Sequence, residues 1–247
     1  MKKLLYILLL VTQVFWGQSA FEKGNDSYKK EKYEEAVAQY DQVLKSGKQS
    51  AELYFNLANS YYKMHQVAPA IYNYEKALLL NPDDTDVQTN LKFAQKMTID
   101  EIKVVPKVGF SKMIDDLLDV FHYESWAWLA VGASVLFLLF FIGYYFARIT
   151  VVKRIFFFGM FVVLLGMFIS IAAAIAERDH YKNERPAIVF AEVAPVKSEP
   201  KTTASDAFVL HEGTKVFVIE SLDNWRKIQL TDDTEGWIEK DAIKELK

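Results

Sequence analysis

The chain has 247 residues, 29 lysines and arginines against 32 aspartates and glutamates, a formal charge of −3 and no cysteine. That balance offers no basic face for nucleic acid. The missing cysteines exclude a disulfide framework, thiolate zinc sites and cysteine nucleophiles.

Met1-Lys2-Lys3 is a basic start, Leu4 to Trp16 is an apolar run too short to span a bilayer, and Gly17-Gln18-Ser19 supplies small residues. This is the pattern of a secretory signal over residues 1–19, cleaved near Ser19. The alternative is an uncleaved N-terminal anchor. On either reading residues 20–125 are exported.

Residues 20–98 align with themselves at an offset of 34. Asn25 falls on Asn59, Tyr28 on Tyr62, Ala36 on Ala70, Tyr40 on Tyr74 and Leu44 on Leu78. A repeat of that period is a helix-turn-helix unit whose small residues allow close helix approach. Pro82 ends the second copy, where a missing N–H forbids further helix. Tyr54, Leu57, Ala58, Tyr61, Ala70, Tyr74, Ala77 and Pro82 resemble the signature of the tetratricopeptide repeat. The first copy departs from it, with Lys23 and Lys48 at the places of Leu57 and Pro82. Asp84 to Met97 reads as a capping helix, Asn90 and Leu91 being in register with Asn56 and Leu57. Stacked repeats need about three units for a continuous core, so two with a cap call for support from a partner, from self-association or from the membrane surface. The resemblance implies a peptide groove lined by Asn25, Tyr28, Asn59 and Tyr62. The other reading makes these four ordinary packing or solvated residues. A carboxylate clamp is not expected, since Thr89 and Phe93 stand where such clamps carry basic residues.

Residues 99–125 read as a linker followed by an amphipathic helix at the membrane interface, with apolar side chains at 110, 113, 114, 117, 118 and 121 in one stripe. Two uninterrupted apolar stretches follow, 126–147 and 155–176, each of 22 residues and without an aspartate, glutamate, lysine, arginine or histidine. At about 1.5 Å per residue each crosses a hydrocarbon core of roughly 30 Å. The loop between them, residues 148–154, carries Arg148, Lys153 and Arg154 and no acid, which places it in the cytoplasm and both flanks outside. Gly166, Ser170 and Ala174 make a small-residue stripe expected to pack on Ala130 and Ser134. A charge at mid-bilayer is costly and marks an ion or proton path. With none present, a transporter is not expected.

Over residues 177–247 the text changes to short alternating runs, 187–190, 215–219, 225–230 and 236–238, as in a small antiparallel barrel. Leu210, Gly213, Val216, Val218, Trp225, Ile228, Gly236 and Trp237 resemble the bacterial Src-homology-3-like domain, with residues 195–205 as its long first loop. The resemblance implies binding of peptidoglycan, peptides or proteins. Trp225 is either a groove aromatic or the barrel's apolar plug, and plug is the expectation for it and for Trp237. Lys197 and Lys201 read as solvated.

His65, His122, His180 and His211 occupy four unrelated contexts without metal-ligand spacing, and residues 231–235 read as a solvated turn. No catalytic residue, cofactor or metal is expected, and the chain reads as no enzyme. The fold class is a multidomain membrane protein: all-α tetratricopeptide repeats, a two-helix transmembrane hairpin and a small all-β Src-homology-3-like barrel. That order resembles a tetratricopeptide member of the Bat (Bacteroidetes aerotolerance) proteins. The resemblance implies a non-catalytic scaffold in the bacterial inner membrane, with both outer domains periplasmic, acting with von Willebrand factor A-domain Bat proteins in aerotolerance or envelope stress. The alternative is a cell-wall-binding protein whose barrel contacts peptidoglycan.

Overall fold

A computed structural model describes residues 19–101, 113, 118 and 120–247, the side chains of residues 180–183 excepted. The signal reading of residues 1–18 and most of the amphipathic segment lie outside the described residues. The chain divides into two compact units. One joins the N-terminal helices to the C-terminal strands, and the other contains the two long apolar helices.

In the first unit, α1 (Ala20–Lys29) pairs with α2 (Tyr33–Lys45), α3 (Ala51–Lys63) pairs with α4 (Val67–Leu80), and α5 (Thr85–Gln95) follows alone. Ser19 opens α1 through a capping box with Glu22, and Ser50 and Asp84 accept N–H bonds at the starts of α3 and α5; such caps satisfy donors that a helix start leaves unpaired. The turns inside the two pairs place Glu31 at φ 61° and His65 at φ 59°. Their 34-residue separation shows that His65 serves the repeat's geometry.

The strands β1 (Pro186–Val189), β2 (Val193–Lys197), β3 (Asp206–His211), β4 (Lys215–Leu222), β5 (Trp225–Gln229), β6 (Glu235–Glu239) and β7 (Ile243–Glu245) form one antiparallel sheet in the order β3-β2-β6-β5-β4-β1-β7. Ala187, Val196, Leu210, Val216, Ile228 and Ile238 meet in a single buried cluster. Side chains alternate between the two faces of a strand, so a sheet whose strands all feed one cluster is curled around it. Residues 195–197 belong to β2, so the first loop is shorter than the sequence suggests. Its Pro195 lies opposite Val209 of the edge strand β3, and the register of β2 with β6 begins only at Lys197. Trp225 and Trp237 are half-buried and outside the core cluster. The plug is aliphatic, with Ile228 and Ile238 at 0% and 1% exposure.

The repeats and the sheet share a core. Ile188 of β1 and Leu246, at 0% and 1% exposure, pack into the same cluster as Val67, Ile71 and Tyr72 of α4. This explains why α4 is buried nearly all round: Ala70, Tyr74 and Ala77 belong to the repeat core, and Val67, Ile71, Tyr72 and Glu75 are covered as well. A helix without a polar face must be covered on every side. The support that two repeats and a cap require comes from the chain's own C-terminal strands.

The second unit contains α6 (Tyr123–Phe146) and α7 (Thr150–Asn183). Both are long and apolar enough to cross a membrane. The connection is Ala147–Ile149, so Lys153 and Arg154 lie in the opening turns of α7 and not in a loop. The apolar pattern marks where hydrophobicity stops, whereas the helical backbone continues through charged residues whose long stems reach past it. The expected small-residue seam is met only in part, with Ser170 buried and Ala130 and Ala174 half-buried. Ser134 and Gly166 are exposed, and a Cβ added at Gly166 would meet nothing. Toward the bend the helices interlock through rings, Phe156 against Gly143 and Phe140 against Gly159, and those two rings meet edge to face at 5.8 Å.

Candidate functional site

The two asparagines expected in the groove anchor a repeated hydrogen-bond ladder. Tyr40 donates its hydroxyl to Asn25 Oδ1 at 2.7 Å, and Asn56 Nδ2 donates to the same oxygen at 3.1 Å. One repeat later Tyr74 donates to Asn59 Oδ1 at 2.6 Å, and Asn90 Nδ2 donates to the same oxygen at 3.0 Å. Each ladder ties the second helix of a pair to its own first helix and to the first helix of the next unit. The carbonyl of each asparagine, with two lone pairs, is thereby saturated. Burial, reinforced by Tyr28 and Glu52, pushes the Tyr40 phenol up to about 12, and burial likewise raises Tyr74.

Tyr28, Asn59 and Tyr62 come together with Lys63, Asn90 and Phe93 around a cleft of about 220 Å³. Asn25 is not among its lining residues; its place is in the ladder. Asn59 therefore holds Tyr74 and Asn90 through its oxygen while keeping its amide N–H groups for the cleft. Two phenols, that amide and the Lys63 ammonium make a wall of hydrogen-bond donors with no carboxylate among the lining residues. The half-exposed Phe93 adds an apolar contact. Backbone carbonyls or acidic groups of an extended peptide satisfy such a wall.

Trp225 lines a second groove of about 330 Å³ with Val193, Pro195, Ile238, Glu239 and Asp241. It is thus a groove aromatic and not a core plug. Lys197, expected to be solvated, also reaches this groove and is ion-paired to Asp206 at 2.6 Å. Lys201 pairs with Glu199 at the exposed surface. Among the described residues no group of acidic or histidine side chains is arranged to hold a metal ion.

Between the repeats and the sheet runs a set of polar contacts that local patterns do not announce. The Asp100 carboxylate accepts the His211 backbone N–H at 2.7 Å and the Thr214 hydroxyl at 2.6 Å, with His211 Nδ1 at 2.7 Å. Burial pushes this carboxyl up, but the hydrogen bonds from Thr214 and His211 outweigh it and hold it below its ordinary range. Lys215 reaches Glu75 at 2.8 Å, and Lys76 donates to the Leu246 carbonyl at 2.8 Å. Burial and the nearby Lys244 lower the Lys76 ammonium. The turn at Gly213, φ 87°, lies so close to Thr98, Val67 and Ile71 that any Cβ there would collide. One trace of this docking was available in the sequence: the segment 67–74 carries no charge, although a surface helix needs a polar face.

Comparison with known proteins agrees with this division. The TPR repeat family matches residues 24–64, the tetratricopeptide repeat family residues 51–84, and the bacterial SH3 domain family residues 191–245. Over 64 residues the chain is 33% identical to the Hsp70-Hsp90 organizing protein of Triticum aestivum, a stretch that covers 26% of this chain and 11% of that protein. The matched domains are of the kinds that serve as non-catalytic interaction modules. The chain carries tetratricopeptide repeats and a bacterial SH3 domain, separated in sequence by two apolar helices each long enough to cross a membrane.

Proposed function

We propose that this protein is a non-catalytic scaffold of the bacterial inner membrane, anchored by α6 and α7, that binds other proteins through periplasmic repeats and an SH3 domain. The observation that carries it is the shared core of Ile71, Tyr72, Ile188 and Leu246. It fuses two interaction modules into one body and leaves the cleft at Tyr28, Asn59 and Tyr62 and the groove at Trp225 open.

The same core supports the topology. A chain that leaves one folded body, crosses the bilayer and returns to that body must cross an even number of times. Two helices meet that condition, and the basic Arg148, Lys153 and Arg154 near the bend favour a cytoplasmic side for it. Single cysteines at Ser50, Thr150 and Lys201 in this cysteine-free chain, labelled with an impermeant reagent on spheroplasts, test the arrangement. Labelling at positions 50 and 201 but not 150 is expected, and the reverse overturns it.

The partners are other membrane proteins. The order of modules resembles that of BatE, the tetratricopeptide member of the Bat proteins, and that resemblance implies partners that include von Willebrand factor A-domain proteins in an aerotolerance or envelope-stress complex. Co-purification in mild detergent should recover them, and repeated recovery of none contradicts the reading. A second reading, in which the SH3 domain holds peptidoglycan, draws on the exposure of Trp225 in its groove. Retention of the protein on purified sacculi, lost on Trp225→Ala, distinguishes it.

A further inference from the structure

The groove at Trp225 has a charge pattern that its sequence motif does not announce. Trp225 and Glu239 are direct cross-strand partners between β5 and β6, so their side chains lie side by side on one face. Asp241, two residues on, lines the same groove. Neither carboxylate has a hydrogen bond or ion pair among the described residues, and both residues are exposed. The one cation lining the groove, Lys197, is already paired with Asp206. Nearby basic residues are committed too, Arg226 to Glu245 and Lys227 to Glu235. Lys240 and Lys244 line the adjoining cleft with Phe190, and Asp241 borders both that cleft and the groove. The groove therefore carries two carboxylates without an ion-pair partner, Glu239 directly across the strands from a half-exposed indole and Asp241 at the border with the next cleft, over a floor made of Val193, Pro195, Ile238 and Ala242.

An aromatic face flanked by carboxylates attracts a cation, and an apolar floor suits the alkyl stem that carries one. A neutral or acidic segment would desolvate both carboxylates without pairing them, which is costly. A sugar chain would find few hydrogen-bonding groups on that floor. We propose that the groove binds an extended basic segment of a protein partner, seating a lysine or arginine over Trp225 with its charge against Glu239 and Asp241. This rests on the reading of the SH3 domain as a protein-binding module and assigns the sign and class of what it binds.

The test uses the full chain in detergent, titrated with a capped Ala-Lys-Ala-Lys-Ala peptide and with its lysine-acetylated twin. The charged peptide should bind about tenfold more tightly, a ratio equivalent to about 1.4 kcal/mol, and rising salt should erode the difference. The double variant E239Q/D241N should lose the preference with an unchanged circular dichroism spectrum, and W225F should weaken binding of the charged peptide about threefold. Equal affinity for the two peptides, or an unchanged preference in E239Q/D241N, overturns the proposal. So does retention on sacculi that the charged peptide cannot compete. Co-purification of partners by the wild-type chain is scored separately: partners recovered without a basic-peptide preference sink this inference alone, whereas no partners sink the scaffold reading.

Discussion

The carboxylate of Asp100 and the imidazole of His211 lie 111 residues apart in sequence, with both apolar helices between them, and meet at 2.7 Å. Asp100 closes the helical repeats and His211 ends β3, so this contact and the Thr214 bond beside it clasp one module to the other. Replacing Asp100 by alanine strands the His211 N–H and the Thr214 hydroxyl. We expect a loss of about 3 kcal/mol in denaturant unfolding, since a buried donor left unpaired costs about 1–3 kcal/mol.

The clasp also sets an acid limb. The Asp100 carboxyl is held below its ordinary value in the folded chain. Its contribution is therefore present above the unfolded pKa, ordinarily about 3.9, and lost as pH falls through the lower folded value. Stability measured from neutral to acid pH should fall less steeply in Asp100→Asn than in the wild type. Parallel profiles would show that Asp100 is not linked to folding.

At the alkaline end the sign reverses. The phenols of Tyr40 and Tyr74 are raised by burial, so their contribution is present below the unfolded value of about 10 and lost as pH rises through the folded value. Phenolate absorbance should show a late-titrating fraction that becomes ordinary in denaturant. Tyr40→Phe should remove part of that fraction and cost about 1 kcal/mol, the net worth of a hydrogen bond.

The ladders predict a graded response in the repeats. Asn59→Ala removes the acceptor for both Tyr74 and Asn90 and should cost about 2–3 kcal/mol. Asn59→Asp retains an acceptor and should cost less. Gly24→Ala places a methyl group into the buried Tyr40 ring and should cost about 1–3 kcal/mol by overpacking. Thermal melts of the three variants check the order.

Ile71 is fully buried beneath both modules. Ile71→Ala should cost about 2–5 kcal/mol and should weaken the SH3 domain as well as the repeats, so that helical and near-ultraviolet signals lose stability together. A melt that shifts only the helical signal contradicts a shared core.

The sequence made the local units legible and left their docking almost silent. The 34-residue period exposes the helix pairs because Tyr40 and Tyr74, or Asn25 and Asn59, answer the same packing demand twice. The spans are legible because crossing a bilayer fixes a length. Docking between residues such as Lys76 and Leu246, 170 apart, has no period and no length. It left only the missing polar face of α4. The helix seam was only partly legible for a related reason: small residues permit close approach, but Gly143 and Gly159 do so by admitting rings, while of the expected stripe Ser170 is buried and Gly166 is open. At the barrel, Trp225 suggested a plug because aromatic residues carry large apolar area, yet aliphatic Ile228 and Ile238 fill the curled sheet and leave the indole for the groove.

The central claim is that the repeats and the SH3 domain form one body, and the pair Glu75 and Lys215 tests it in the intact chain. Their side chains meet at 2.8 Å across the two modules, within reach of a carbodiimide that joins a carboxylate to an amine only where they already touch. Peptide mapping of the treated wild-type protein should find an amide bond between Glu75 and Lys215, alongside surface pairs such as Lys32 with Glu35. Reaction at the surface pairs with none between Glu75 and Lys215 would contradict it.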